Sequence, residues 1–482
     1  MVTDFKFKTK PYDHQLEALN NSHDKDEYAL FMEMGCGKSK VIVDNIAHLY
    51  SQGKIYNALI VAPKGVYDNW VSKEIPTHIP DHITYDLVKW QSNHTKSFTK
   101  ELIKVYESDF NLKILVMNIE AFSTKKGVEF ANKFIQRNKS IFIIDESTTI
   151  KNPEAKRTAN CVRLGKYAYY RRILTGSPVT KSPLDLYSQC MFLNPALLGF
   201  SSYYSFRARY ADMVEKRGHG RTYKFVTGYK NMDELNEVLN KFSHRVLKKD
   251  CLDLPEKIYI KRNIEMTKEQ QKAYKELQRF AVTFLKNQKS VTINHVITQI
   301  IRLHQISCGF TVTDDGVSTE IPSQRLSELS SILDETDGKV IIWANYRYDI
   351  KRIVNMLKED YGYGSVGAYY GEVDQSERER VIDEFQNPDS ELRFFVGNTQ
   401  TGGYGITLTA ASTVIYYSNN YDLEKRLQSE DRAHRIGQTN KVTYIDLVSK
   451  GTVDEKIVKA LRKKLNLAQE VLGDEKWKDW IT

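Results

Sequence analysis

The stretch that most restricts what this chain can become is Leu30-Phe-Met-Glu-Met-Gly-Cys-Gly-Lys-Ser39. Here an apolar run breaks into a Gly-x-Gly-Lys-Ser turn and then into the helix-compatible Lys40-Val-Ile-Val-Asp-Asn-Ile46. That order predicts a strand end, a phosphate-cradling loop and a helix N-terminus. Amides left free at a helix start, with the positive end of its dipole, favour a polyphosphate. Gly35 and Gly37 make the turn, Lys38 is placed to reach the β- and γ-phosphates, and the Ser39 hydroxyl to ligate Mg²⁺. The full pattern would put a glycine where Met32 stands, so a plain Gly-rich turn competes as a reading of the stretch taken alone.

At about 100–200 residues per domain, 482 residues allow several domains, and so an enzyme with a cleft between lobes. Seventy Lys and Arg against 61 Asp and Glu leave a formal charge of +9, a mild excess that suits a nucleic-acid partner without requiring one. The five cysteines (Cys36, Cys161, Cys190, Cys251 and Cys308) are odd in number, scattered and without a C-x-x-C pair. Neither a disulfide framework nor a zinc site is indicated, and a reduced, intracellular protein is expected. The first residues, Met1-Val-Thr-Asp-Phe-Lys-Phe-Lys, lack the apolar core of a signal peptide, and no run of about 18 apolar residues occurs, so a soluble protein with no membrane partner is expected.

Before the phosphate loop, Lys10-Pro-Tyr-Asp-His-Gln-Leu-Glu-Ala-Leu19 has helical apolar spacing, with Gln15 a candidate to pair with an adenine edge or simply a solvated helix residue. After the loop, Ala58–Ala62, Lys113–Met117 and Ser140–Ile144 are unalternating apolar runs separated by helix-length stretches, the pattern of parallel strands buried on both faces. Asp145 follows the third run, where its carboxylate would emerge at the sheet edge to hold Mg²⁺, and Glu146 could orient or deprotonate water; a helix N-cap is the competing reading of the pair. Arg172-Ile-Leu174 runs into Thr175-Gly-Ser-Pro178, a hydroxyl-bearing turn. From Leu184 to Leu247 basic and aromatic residues interleave, as in Phe206–Tyr210 and Lys216–Lys224. They suit nucleic-acid contacts or, equally, a helical insertion whose tyrosines pack inward.

Thr267–Asn287 and Asn294–Ile306 read as helices. Buried-strand runs then resume at Lys339–Trp343, Arg393–Val396, Val414–Tyr417 and Thr443–Val448, which implies a second α/β lobe without a phosphate loop of its own. Its Asn398–Gly405 loop, including Thr399 and Gly402, would offer amides and hydroxyls to a sugar-phosphate backbone. In Gln428–Gln438, Arg432 and Arg435 stand three apart, either reaching a transferring phosphoryl group or lying in a surface ion-pair face with Glu430 and Asp431. Ile457, Leu461, Leu465, Ala468 and Leu472 form one helical face, expected to dock on this lobe.

In order and spacing, one set of motifs stands out: His14-Gln15, Glu33–Ser39, Val61-Ala-Pro63 with Trp70, Asp145-Glu146 with Ile150-Lys-Asn152, Leu174–Pro178, Val246–Asp250 with Leu254-Pro255, Gly402–Gly405 with Leu408, and Gln428–Gln438. Together they resemble the superfamily-two helicase-like ATPases and, within them, the Swi/Snf-related DNA translocases, from about Lys10 to Ile457. The resemblance implies an α/β fold of two RecA-like parallel-sheet lobes in tandem with helical insertions, closing on ATP and Mg²⁺ and tracking along double-stranded DNA. Carried over by position, Gln15 contacts adenine, Gly35, Gly37, Lys38 and Ser39 hold phosphate, Ser39 and Asp145 hold the metal, and Glu146 is the catalytic base. Gln428 belongs to the nucleotide site, Arg432 and Arg435 are the arginine fingers, and Lys64, Thr175, Thr399 and Gly402 face DNA or couple it to the cleft. Three departures stand out. Asp145-Glu-Ser-Thr148 replaces Asp-Glu-Ala-His, so Thr148 stands where a coupling histidine is usual; Met32 replaces an acidic residue and Gln400 a basic one.

The expected boundaries are an ATP-binding lobe at 1–250 with a helical insertion at about 184–247, and a helicase lobe at 251–482 with a helical insertion at about 266–335 and a C-terminal helix at about 453–472. The expected function is that of a monomeric ATP-dependent translocase on double-stranded or branched DNA, in branch migration, fork regression, annealing or protein displacement. A strand-separating DNA or RNA helicase and a P-loop nucleotide switch without motor activity are the alternatives. The location would be cytoplasm or nucleoid in a bacterium or virus and nucleus in a eukaryote.

Overall fold

Short runs of Ile, Val, Leu and Phe, each followed by a polar turn, build two parallel sheets. The computed structural model describes residues 5–93, 98, 100, 102, 111–218, 221–287, 293–313, 315–402 and 405–474. Residues 219–220 of the basic stretch, and Gly403 and Tyr404 of the glycine loop, lie outside them. The chain divides into two compact units: one holds residues up to Val214, Phe225–Asp253 and the segment that starts at Leu467; the other holds Leu254–Asn466 and the hairpin tip Glu215–Lys224.

In the first unit the strands are β1 (Glu27–Met32), β2 (Asn57–Ala62), β3 (Tyr85–Lys89), β4 (Leu112–Asn118), β5 (Ser140–Asp145), β6 (Tyr170–Leu174) and β9 (Ser243–Val246); the separate hairpin β7 (Ala211–Gly218) and β8 (Arg221–Tyr229), which the division splits, comes before β9. The sheet order is β3-β4-β2-β5-β6-β1-β9, with all neighbours parallel. Because side chains alternate along a strand, each run feeds two cores. Phe31, Leu59, Val61, Met117, Phe142 and Ile144 pack on one face, and Leu30, Met32, Ile60, Val116, Ile141 and Ile143 on the other. Helix α1 (Asp13–Ser22) precedes β1, and α2 (Lys38–Ser51) follows it.

The stretch expected as a helical insertion at 184–247 is of mixed structure: it holds α3 (Leu186–Leu193) and two further helices, but also the β7–β8 hairpin and β9. Ser-His-Arg-Val is a polar edge strand with no apolar run to announce it. Phe206 and Tyr210 are buried in the core, as the inward-packing alternative requires, whereas Tyr204 is exposed under the Arg207 guanidinium. The unit ends with α4 (Lys248–Cys251).

The second unit has β10 (Lys257–Ile264), helices α5 (Lys268–Asn287) and α6 (Ile293–Cys308), the small hairpin β11 (Phe310–Val312) and β12 (Ser318–Glu320), and then β13 (Lys339–Trp343), β14 (Val366–Tyr369), β15 (Phe394–Gly397), β16 (Ala411–Tyr416) and β17 (Val442–Ser449). Its sheet runs β10-β17-β16-β13-β15-β14, again parallel throughout and again with separate cores on its two faces. Helix α7 (Leu423–Glu430) lies between β16 and β17, and α8 (Val453–Leu472) follows β17.

The apolar face of α8 docks on more than the second lobe. Ile457, Val458, Leu461 and Leu465 pack with Leu423 and Val448, but Ala468 and Val471 belong to the first unit's core. There Asn236 Nδ2 donates to the Val471 carbonyl (3.0 Å), and Asp474 takes two hydrogen bonds from Arg245 (2.7 and 3.2 Å). Helical spacing reveals an apolar face but not the partner of each of its turns. A carboxylate at fully buried Val471 should therefore cost the first unit about 3 kcal/mol or more. Hydrogen exchange on Val471→Asp should show lost protection in β1 and β9 with β13 and β16 unchanged; an unchanged first sheet would refute the assignment.

Candidate nucleotide site

Strands β5, β6 and β1 are neighbours, with Asp145 opposite Leu174 and Leu174 opposite Leu30. The loop after β1, the Asp145-Glu146 pair and the Thr175–Pro178 turn thus leave one sheet edge side by side, where open α/β sheets bind ligands.

The loop after β1 is a tight cradle. Gly35 (φ +86°) and Gly37 (φ +81°) are left-handed, and a Cβ on Gly37 would lie 2.1 Å from Gln15 Nε2. The intervening Cys36 carbonyl accepts from Gln15 Nε2 (3.3 Å) and lies 2.9 Å from His14 Nε2, while Gln15 Oε1 accepts the Tyr12 amide (3.0 Å). Gln15 is buried; its Nε2 holds the loop and its Oε1 caps the start of α1. Lys38 opens α2 and folds its ammonium back onto the carbonyls of Met32 (2.8 Å) and Glu33 (3.3 Å); Ser39 is half-buried on the same first turn. A Cβ on Gly176 would lie 3.2 Å from the Met34 amide, so the Thr175–Pro178 turn is in contact with the cradle.

Asp145 is buried, accepting from Trp70 Nε1 on Oδ2 (2.9 Å) and from the Glu146 amide on Oδ1 (3.0 Å). Burial lifts its carboxyl above the usual range, against the pull of the Trp70 hydrogen bond, the Lys38 charge and the Glu146 amide. Glu146 itself sits in the left-handed region (φ 49°, ψ 60°), one of two non-glycine residues with positive φ among those described. Next, Ser147 Oγ donates to Gln189 Oε1 on α3 (2.6 Å), and Gln189 Nε2 donates to the carbonyls of Pro178 (2.9 Å) and Asp185 (2.8 Å). The acidic pair and the Thr175–Pro178 turn are therefore joined through Ser147 and Gln189. Lys151 Nζ reaches Thr180 Oγ1 (2.7 Å), which extends the same connection.

The remaining candidates are dispersed. Lys64 is exposed beyond β2, and Thr175 is buried, with its hydroxyl capping the Ser177 amide (3.1 Å). In the second unit Thr399 and Gly402 start and end a short helical turn and are themselves buried, and a Cβ on Gly402 would lie 2.5 Å from the Trp343 ring. Gln428 is buried on α7 beside Lys425. Arg432 and Arg435 occupy the turns after α7, not a helix, and both donate to the Ile406 carbonyl (3.1 and 3.3 Å). Glu430 is fully buried, bound by Arg426 (2.9 Å), Lys257 (3.3 Å) and the Tyr259 hydroxyl (2.8 Å), so it is not part of a surface ion-pair face. Burial alone would raise its carboxyl; Lys257, Arg426 and Tyr259 outweigh that and hold it low.

Residues missed from sequence are Gln189, Arg245 and the role of Trp70. Arg245 Nη1 donates to the carbonyls of Phe31 and Gly176 (both 3.0 Å), tying β1 to the turn after β6. Nothing local in Ser-His-Arg-Val announces this, because the contacts span 214 and 69 residues.

The description "SNF2-related domain" matches residues 14–311 and "Helicase conserved C-terminal domain" matches 324–437. The chain is 25% identical to the chromatin remodeling factor mit1 of Schizosaccharomyces pombe over 90% of this chain and 31% of that protein. It is also 25% identical to the transcription regulatory protein SNF2 of Saccharomyces cerevisiae over 91% of this chain and 26% of that protein. It thus spans under a third of the length of these two relatives. A solved SWI2/SNF2 ATPase core of Sulfolobus solfataricus, in complex with dsDNA, aligns at TM-score 0.43 and 23% identity over 97% of this chain and 94% of that one. Since the first description covers more than half of the sequence, the protein belongs to the SNF2-related family of helicase-like ATPases.

Proposed function

We propose that this chain hydrolyses ATP and uses the hydrolysis to track along double-stranded or branched DNA. The observation that carries this reading is the convergence of the glycine cradle, Asp145-Glu146 and the Thr175–Pro178 turn on one sheet edge, the last two bridged through Ser147 and Gln189 and the turn packed against the cradle, in a chain whose family match continues through a second parallel-sheet unit. In this reading the cradle amides and Lys38 bind the polyphosphate, with Lys38 exchanging two carbonyls for phosphate oxygens. Glu146 orients and deprotonates the attacking water, and Arg432 and Arg435 supply guanidinium groups to the transferring phosphoryl.

The donor set fits Mg²⁺. Asp145 is a buried carboxylate at the sheet edge whose two oxygens each accept one hydrogen bond, and Ser39 offers a hydroxyl on the first turn of α2. A bound Mg²⁺ would supply charge neutralisation on the phosphates. Gln15 would hold the loop as well as read adenine. Exposed Lys64 and the Thr399–Gly402 turn are the proposed DNA contacts. Branch migration, fork regression, annealing and protein displacement are the tasks proposed for the motor; the relative named as a chromatin remodeling factor supports DNA as its track.

The first test is ATP turnover at a fixed salt concentration with no nucleic acid, single strands, duplex, forked DNA and RNA. Duplex should stimulate about tenfold or more, an effect that fades as salt rises. Glu146→Gln and Arg435→Ala should each lower kcat by about 100-fold or more while nucleotide still binds. Triplex displacement without unwinding of tailed duplexes is expected; unwinding would favour the helicase alternative. Full turnover in Arg435→Ala with no DNA response would favour the nucleotide switch.

A second test concerns Trp70. Its N–H holds the Asp145 pKa down, so Trp70→Phe should raise that pKa further. Metal binding needs the carboxylate, so the variant's Mg²⁺ requirement for nucleotide binding should worsen as pH falls and ease as it rises. A ratio to wild type that stays constant with pH would leave Trp70 a packing residue only.

A further inference from the structure

We propose that Cys36 and Cys251 are a redox modification site, closing into a disulfide that disables the phosphate cradle. The inference rests on the nucleotide reading of that cradle for its consequence, but not for the chemistry itself. The two Sγ atoms lie 3.7 Å apart, although 215 residues separate them in sequence. Their approach is held from both sides. The Glu33 amide donates to the Val246 carbonyl (2.9 Å), and the Lys248 amide, at the start of α4, donates to Glu33 Oε2 (2.7 Å). A Cβ on Gly35 would be 3.4 Å from Lys248 Cε, so α4 lies directly against the turn that carries Cys36.

Closing the gap from 3.7 Å to the roughly 2 Å of a disulfide calls for small side-chain rotations and a small shift of the loop. The loop is suited to shift, because Cys36 stands between two left-handed glycines. Cys36 is fully buried and Cys251 is partly exposed, which makes Cys251 the entry point for an oxidant. Burial raises both thiols above the usual range; the neighbouring Cys251 adds to this at Cys36, while the contact with Cys36 opposes it at Cys251, so both are mainly protonated at rest.

With a hydroperoxide the steps balance. The Cys251 sulfur attacks the O–O bond and becomes a sulfenic acid, releasing water from hydrogen peroxide. The Cys36 sulfur then displaces the hydroxyl, forming the S–S bond and a second water. Two thiols lose one electron each, and the peroxide gains two. A dithiol reverses the reaction by exchange. Drawing Cys36 toward α4 moves its carbonyl, which is held by Gln15 and lies 2.9 Å from His14 Nε2, and changes the turn that opens α2.

The test uses the full chain, freed of reductant and treated with hydrogen peroxide. Non-reducing peptide mapping should find Cys36 joined to Cys251. Binding of a fluorescent ATP analogue should weaken about tenfold or more and recover with dithiothreitol. Cys251→Ser should bind nucleotide normally when reduced and keep that binding after peroxide. Failure to find the joined peptide, with sulfinic acid at either thiol instead, would overturn the proposal, as would a mapped disulfide that leaves binding unchanged. If the reduced wild type binds no nucleotide, the reading of the cradle fails while the mapped disulfide still decides the chemistry.

Discussion

The site depends on a contact that leaves no room for a side chain. Gln15 of α1 presses its carboxamide against Gly37 so closely that any Cβ there would overlap it, and the same carboxamide holds the neighbouring Cys36 carbonyl. The left-handed Gly37 can then end the loop and act as the N-cap of α2, which leaves the first amides of that helix without intrahelical partners. On the other side Gly176 approaches the Met34 amide, and α4 binds Glu33. The cradle is thus clamped by three segments that are remote in sequence, and its shape follows from the packing of all three.

What could be read in advance follows from range. The central strands were legible because burial on both faces demands unbroken apolar runs, and Ala58–Ala62, Lys113–Met117, Ser140–Ile144 and Lys339–Trp343 meet that demand. Edge strands escape this demand: Tyr85–Lys89, Ser243–Val246 and Lys257–Ile264 are mostly half-exposed and interrupted by polar residues, so none presents an unbroken apolar run. The cradle, the acidic pair and the Thr175–Pro178 turn were legible as local patterns. Their linkage was not, because Gln189 and Arg245 act across the fold through bonds to backbone carbonyls, which any sequence offers at every residue.

The Asp145-Glu-Ser-Thr148 sequence acquires a physical account from that linkage. A histidine at position 148 would bring a ring able to donate and accept; here Thr148 is buried and the neighbouring Ser147 makes a short bond to Gln189. The amide of Gln189 continues to Pro178, so a displacement of the acidic pair is felt at the turn one strand along. Arg245 gives a second connection, joining the end of β1 to Gly176, with Asp474 as its counterion. Both connections are partly or fully buried, where a broken hydrogen bond leaves a polar group unsatisfied at about 1–3 kcal/mol, enough to make the three loops move together.

Glu146, the proposed general base, is held in a strained backbone. A glutamate in the left-handed region costs about 1–2 kcal/mol relative to an extended or helical backbone, and glycine would remove most of that cost. The conformation is enforced from both sides: the Glu146 amide is held by Asp145 Oδ1, and its carbonyl accepts the Thr149 amide at 2.9 Å in the turn that follows. Those bonds use only backbone atoms of residue 146 and would survive a glycine. The left-handed backbone also fixes where the side chain leaves the chain. It leaves that carboxylate buried beside Asp145, at the sheet edge shared with the phosphate loop, which is the geometry the proposed general base requires.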